Sequence, residues 1–178
     1  MIFGLFKKKS GNIAIVKRQY AALTAAARQP FLYTDLDVPD TVMGRFEMLS
    51  AILILYFRRT RSSARAGQEI AQEIVDAFFE DVDHSIRELG VGDMSVPKKM
   101  KKLAGMFYGR LESYAAALEG RDAGALAAAL RRNFHADAED APSMQGLASY
   151  LLAVESVLSD TTEEAVETGQ LRIPPAGT

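Results

Sequence analysis

The sequence predicts an all-α, single-domain bundle of about six helices with an extended loop between the first two. Three observations carry that prediction. Apolar residues recur at three- and four-residue spacing over most of the 178 positions. No set of alternating, strand-type runs accompanies them. The stretches between the periodic segments hold glycine, proline, serine or aspartate where helices stop and start. These signals divide the chain into a basic and apolar N-terminal tail (1–12), a helical domain (13–167) and a flexible C-terminal tail (168–178).

The first helix is expected from Ile13 to Arg28, with Ile13, Val16, Tyr20, Leu23 and Ala27 facing the core and Pro30 marking its end. "PFLYTDLDVPD" (30–40) reads as extended, because Pro39 holds Val38 away from helical angles. Asp40 or Thr41 then caps a second helix that continues to Arg61. Its run "MLSAILILYF" (48–57) covers about 15 Å as helix, half of a hydrocarbon core, and Arg45, Arg58, Arg59 and Arg61 flank it. It therefore reads as a buried helix and not a membrane span. After "RSSARAG", a third helix from Gln68 to Leu89 places Ile70, Ile74, Val75, Phe78, Phe79, Val82 and Ile86 on one side, and Gly90 stops it. Ser95 is set to cap the fourth, with Pro97 in its first turn, where a missing N–H costs nothing. That helix reaches Leu118, and its "MFYGRLESY" puts Phe107, Tyr108, Leu111 and Tyr114 on or near a core stripe. Asp122 caps a fifth helix ending at Phe134, and a sixth runs from Ser143 to Val166.

Composition narrows the function classes. Apolar residues make up 48% of the chain, too many for a disordered protein. With no cysteine, disulfides, thiolate chemistry and Cys-based metal sites are excluded. The net charge of −2 covers a strong asymmetry: +5 over residues 1–18 and −7 over residues 134–178. A basic start favours anionic membrane or RNA, but the overall charge argues against a dedicated nucleic-acid binder. "MIFGLFKKK" reverses the order of a secretory signal. Its Ile2, Phe3, Leu5 and Phe6, followed by Lys7, Lys8 and Lys9, are expected to lend modest affinity for an anionic membrane surface.

Enzymatic readings are incomplete. "GVGDMSVPKK" (90–99) lacks the preceding strand and the G-K-[ST] ending of a phosphate loop, so it reads as a helix stop, a turn and a new helix start. Lys98, Lys101 and Lys102 share one helical face of a solvated basic surface. Asp81 and His84 have the carboxylate-x-x-His spacing of di-metal bundles, but Arg132 stands three residues before the other histidine, His135. No G-x-S-x-G motif occurs. A small helical enzyme built on Asp81, Asp83 and His84 is thus the weakest reading, and no catalytic residue, metal, cofactor or small-molecule substrate is expected. In "VPDTVMGRF", Gly44 marks close packing, and Arg45 is set to pair with Asp40 or Asp93 and brace two loops.

Three segments together resemble the ubiquinol–cytochrome c chaperone family: "PFLYTDLDVPDTVMGRFEML", "FFEDVDHSIRELGVGDMSVPKKMKKLAGMFYGRLESYAAAL" and, more weakly, "LAAALRRNF". The Tyr33–Phe46 and Asp81–Arg110 blocks are the specific parts. The resemblance implies a non-enzymatic assembly chaperone for ubiquinol–cytochrome c reductase. Its client would be newly made cytochrome b or its assembly intermediate, and the ribosome and the anionic inner-membrane surface would be further contacts. The short chain without a long presequence reads as a bacterial member, cytoplasmic and peripheral to the inner membrane. A membrane-surface adaptor is the alternative. The client surface is expected on two loops and the adjoining helix edge: Tyr33, Asp35, Val38, Pro39, Asp40 and Arg45; Val91 and Asp93; and Lys98, Lys102, Tyr108 and Arg110.

Overall fold

A computed structural model describes residues 3–136 and 138–177, with side chains from Asn12 onward. Its helices are α1 (Phe3–Ala27), α2 (Pro30–Thr34), α3 (Val42–Thr60), α4 (Arg65–Glu88), α5 (Val96–Glu119), α6 (Ala123–Phe134), α7 (Gln145–Ser159) and α8 (Glu163–Thr168). The described residues contain no strand. The six long helices follow the predicted order, and α2 and α8 are additional short turns.

The "MLSAILILYF" run makes α3 the centre of the molecule. Met48, Ala51, Ile52, Leu53, Ile54, Leu55 and Tyr56 are all buried. A helix that is apolar on every side needs cover on every side, and α1, α4, α5, α6 and α7 supply it. None of the described helices is long and apolar enough to cross a membrane. Thr41 starts α3 by accepting a hydrogen bond from the Gly44 N–H at 3.0 Å. Gly44 is required there: a Cβ would lie 1.9 Å from the Pro39 carbonyl oxygen. Charged cross-links tie α3 to the C-terminal half. Arg58 donates to Glu155 of α7 at 2.6 Å. Arg59 pairs with Glu163 of α8 at 3.3 Å, and Glu163 also accepts the Ala64 N–H at 2.9 Å.

The structure corrects several expectations. Helix α1 begins at Phe3, ten residues early, because the polar stretch before Ile13 has no apolar period yet still continues the helix. Ile13 is exposed and Ile15 packs on the core instead, since Asn12 turns toward Glu73 of α4. The anchor residues Ile2, Phe3, Leu5, Phe6 and Lys7 to Lys9 have side chains outside the described set. "PFLYT" is helical, not extended: Pro30 confines the residue before it, Gln29, to extended angles and so starts α2. The Ser95 hydroxyl caps nothing. Tyr108 and Leu111 leave the expected core stripe and are exposed, whereas Phe107 and Tyr114 are buried. The expected sixth helix is broken after Ser159, where Thr162 accepts the Ala165 N–H and starts α8 with Glu163 and Glu164 in its first turn.

The C-terminal segment is docked and not loose. Leu171, Ile173 and Ala176 pack on the core. The Ala176 N–H donates to Gln29 Oε1 at 2.6 Å, and the Tyr150 hydroxyl donates to the Pro174 carbonyl at 3.1 Å. Gly177, at φ 89°, lies against the Phe31 ring. Apolar side chains and backbone partners anchor a segment whose composition alone reads as a tail.

A candidate binding groove between α1, α3 and α4

A groove of about 360 Å³ opens where α1, α3 and α4 meet, with Tyr33 of α2 and Leu103 of α5 in its walls. Its floor is aromatic: the buried Phe46 and Phe78 rings stack with centroids 5.8 Å apart. Its apolar rim is unusually open, with Val42 58%, Met43 44% and Leu89 62% exposed. Isolated exposed apolar residues are ordinary, but three beside one concavity form a contact surface.

Polar groups interrupt the apolar lining. The Tyr20 hydroxyl and Thr24 Oγ1 are buried, and the phenol lies beside both Thr24 and the Asp81 carboxylate. Burial, reinforced by the neighbouring Asp81 carboxylate, pushes the Tyr20 phenol well above its ordinary value, so it remains an O–H donor at neutral pH. Arg28, Asp81 and Glu88 stand exposed around the opening. An apolar groove with a few polar groups in its lining suits an occupant that brings both apolar side chains and a polar atom or two.

One corner of the groove gathers three of the predicted residues. Arg45 donates to Asp40 Oδ1 from Nε at 2.8 Å and from Nη2 at 2.7 Å, and its guanidinium lies 5.7 Å from the Tyr33 ring centroid. The Tyr33 hydroxyl donates to the Ala27 carbonyl at 2.7 Å. Burial raises the Tyr33 pKa, and Arg45 partly opposes the rise. Of the two partners foreseen for Arg45, Asp40 is the one it takes. Asp93 instead accepts from Arg87 at 2.6 Å, and Arg87 also grips Asp83 at 2.7 Å. That hydrogen bond holds the Asp83 carboxyl below its ordinary range.

The other predicted residues scatter. Val38 is 2% exposed and belongs to the core, pinned by its N–H donating to the Leu32 carbonyl at 3.1 Å; a partner cannot reach it. Pro39 is half-buried beneath Gly44, and Asp35 is exposed and accepts from the Thr34 hydroxyl. Val91 is half-buried in the α4–α5 turn. Lys98, Lys102 and Tyr108 are exposed along α5. Arg110 faces inward to Glu47 of α3. Asp81 and His84 are both exposed, and the His135 Nε2 lies 2.9 Å from the Asp37 carbonyl. Among the described residues, no group of three or more His, Asp or Glu side chains has the arrangement to hold a metal.

Sequence reasoning missed Val42, Met43, Leu89, Tyr20 and Thr24 as groove residues. A signal existed for two sites. "VM" occupies the first turn of a helix whose core run begins only at Met48, and Leu89 sits next to a glycine stop. Both are apolar residues at helix ends.

Comparison with known proteins sets this groove in context. The profile of the family described as "Ubiquinol-cytochrome C chaperone" matches residues 34–173, a span that includes both α3 and α4. The chain is 26% identical over 139 residues to ubiquinol-cytochrome c reductase complex assembly factor 1 of Mus musculus, covering 78% of this chain and 47% of that protein. It is 23% identical over 135 residues to the Xenopus laevis assembly factor, covering 75% and 67%. The chain thus spans about half the length of the mouse relative. Among solved structures, the crystal structure of the Cbp3 homolog from Brucella abortus superimposes with a TM-score of 0.87 at 49% identity, over 98% of this chain and 97% of that one.

Proposed function

Because this chain belongs to the ubiquinol-cytochrome C chaperone family, we propose that it binds newly made cytochrome b and supports assembly of ubiquinol–cytochrome c reductase. It acts by holding its client, with no catalytic step, in the cytoplasm at the inner-membrane surface. The observation that carries this reading is the groove edged by exposed Val42, Met43 and Leu89. A client that becomes almost wholly membrane-embedded presents apolar segments before its cofactors and partner subunits arrive. An apolar groove shields such a segment by taking an amphipathic helix or loop along its length. The Tyr20 and Thr24 hydroxyls in its lining add polar contacts for the same segment.

Photo-crosslinking in cells tests it. A crosslinker at Met43 is expected to capture cytochrome b, and one at Val157, an exposed apolar residue of α7, is not. Deleting the gene should lower the assembled complex without lowering its transcripts. Normal haem-loaded cytochrome b in the deletion strain under respiratory growth would sink the proposal.

A further inference from the structure

We infer that the corner between α4 and α5 docks on an anionic lipid bilayer. Two apolar side chains there have no cover: Met94 is 97% exposed and Leu89 is 62% exposed. Directly behind them, the first two turns of α5 carry Lys98, Lys99, Lys101 and Lys102, all exposed. Among the described residues, none of these lysines forms an ion pair. The acidic groups nearby do not cancel them. Asp93 and Asp83 share the single charge of Arg87, and Glu88 is exposed next to the turn, so four lysines and one arginine stand against three acids. The corner is therefore a cationic surface with a protruding apolar tip.

That combination selects a bilayer over the other polyanion, RNA. Lysine is a compact point charge suited to lipid phosphates, whereas RNA surfaces draw on arginine forks and on aromatic rings that stack bases. Methionine and leucine beside the lysines have the chemistry to enter the boundary between headgroups and acyl chains. The position is also productive. Leu89 lines the groove as well as the corner, so a segment lying at the bilayer surface passes into the groove without an intervening stretch of water. This benefit rests on the client reading above, and the docking gives a face to the inner-membrane location in that same reading.

Vesicle co-sedimentation of the full chain tests the inference with lipid alone. Wild-type protein should pellet with phosphatidylcholine vesicles containing phosphatidylglycerol and not with pure phosphatidylcholine. Each lysine is worth about fivefold in partitioning, which corresponds to ~1 kcal/mol near an anionic surface. The pair Lys98→Gln/Lys102→Gln should thus bind about 25-fold more weakly with an unchanged melting temperature. Met94→Ser should remove the part of the binding that survives at physiological salt. Equal pelleting with both vesicle types would overturn the docking face. So would a loss seen only in Lys7→Gln/Lys8→Gln/Lys9→Gln, or corner lysines that are needed for binding an RNA oligonucleotide but not vesicles. Cytochrome b crosslinking, scored separately in the same variants, keeps the two readings apart. Vesicle binding without any client crosslink overturns only the client reading, and crosslinking without vesicle binding overturns the docking and the membrane location while leaving the client reading intact.

Discussion

Arg110 on α5 grips Glu47 on α3 through two parallel hydrogen bonds, from Nε at 3.0 Å and from Nη2 at 2.6 Å. Glu47 is only 3% exposed, so its carboxylate depends on this one guanidinium. The hydrogen bond in turn raises the Arg110 pKa and keeps it charged. Arg110→Ala should therefore cost about 3–5 kcal/mol by stranding a buried charge, and Arg110→Met with Glu47→Gln should recover much of that loss. Urea midpoints of the single and double variants check it. A client-binding defect in Arg110→Ala alone is then a stability effect.

Gly44→Ala should be among the most damaging single-methyl additions in the chain. The new carbon meets the Pro39 carbonyl oxygen at 1.9 Å, a backbone atom that cannot rotate away. Overpacking of this kind costs about 3 kcal/mol or more. Soluble yield and thermal melting report it, and Thr41→Ala, which removes only the cap, should lose about 1 kcal/mol.

Gly105→Ala and Gly109→Ala should do the reverse. Both glycines lie inside α5, and nothing comes within 4 Å of a Cβ at either position. Glycine costs a helix interior about 1 kcal/mol relative to alanine, so each variant should raise the melting temperature. A melting temperature that falls would show that α5 packs more closely at these positions than the open space around them indicates.

Met43→Asp should abolish capture of cytochrome b while shifting stability by no more than about 0.5 kcal/mol, as expected for an exposed site. Met43 is 44% exposed on the groove rim, where a carboxylate meets solvent in the free protein and an apolar client in the complex. Matching the crosslinking yield to the melting temperature of the same preparation separates binding from folding.

Alkaline pH should weaken the fold. Burial pushes the Tyr56 and Tyr114 phenols well above their ordinary value. Above about pH 10 the unfolded chain releases those protons and the folded chain keeps them. The stabilisation is therefore complete below about pH 10 and declines as pH rises toward the folded values, by up to about 2.7 kcal/mol per pH unit for the two groups together. Urea midpoints followed across that range check the slope. Tyr114→Phe should remove its own share of that slope, up to about 1.4 kcal/mol per pH unit, although it also removes the 3.0 Å bond that the tyrosine hydroxyl accepts from Asn133.

The long helices were legible because their signals are local. The buried run of α3, the Thr41 cap, the tight spot at Gly44 and the Asp122 cap, whose carboxylate accepts the Ala125 N–H at 2.9 Å, all read directly from neighbouring residues. The groove was not legible. Helical spacing tells which face of α1 or α4 is apolar, but not which part of that face its neighbours leave uncovered. Tyr20, Met43 and Leu89 meet only once three helices are placed in space. Of the twelve residues expected on the client surface, three come together, for the same reason. Tyr33, Asp40 and Arg45 are close in sequence and meet, whereas Val38 and Arg110 turn inward to partners that no spacing rule names.

The docked end of the chain has a consequence for biosynthesis. Gln19 donates to the Val166 carbonyl and Gln29 accepts from Ala176, so one residue of the first helix and one just beyond its end are satisfied by residues made 147 positions later. Translation delivers α1 long before its cover exists. Gln19 is fully buried in the finished molecule, where it also accepts the Tyr56 hydroxyl at 2.5 Å. A nascent chain therefore keeps one flank of α1 wet, and closes it only after residues 166–176 have been made. Stop-codon truncations that remove 170–178 should leave a protein that helps itself poorly before it can help any client.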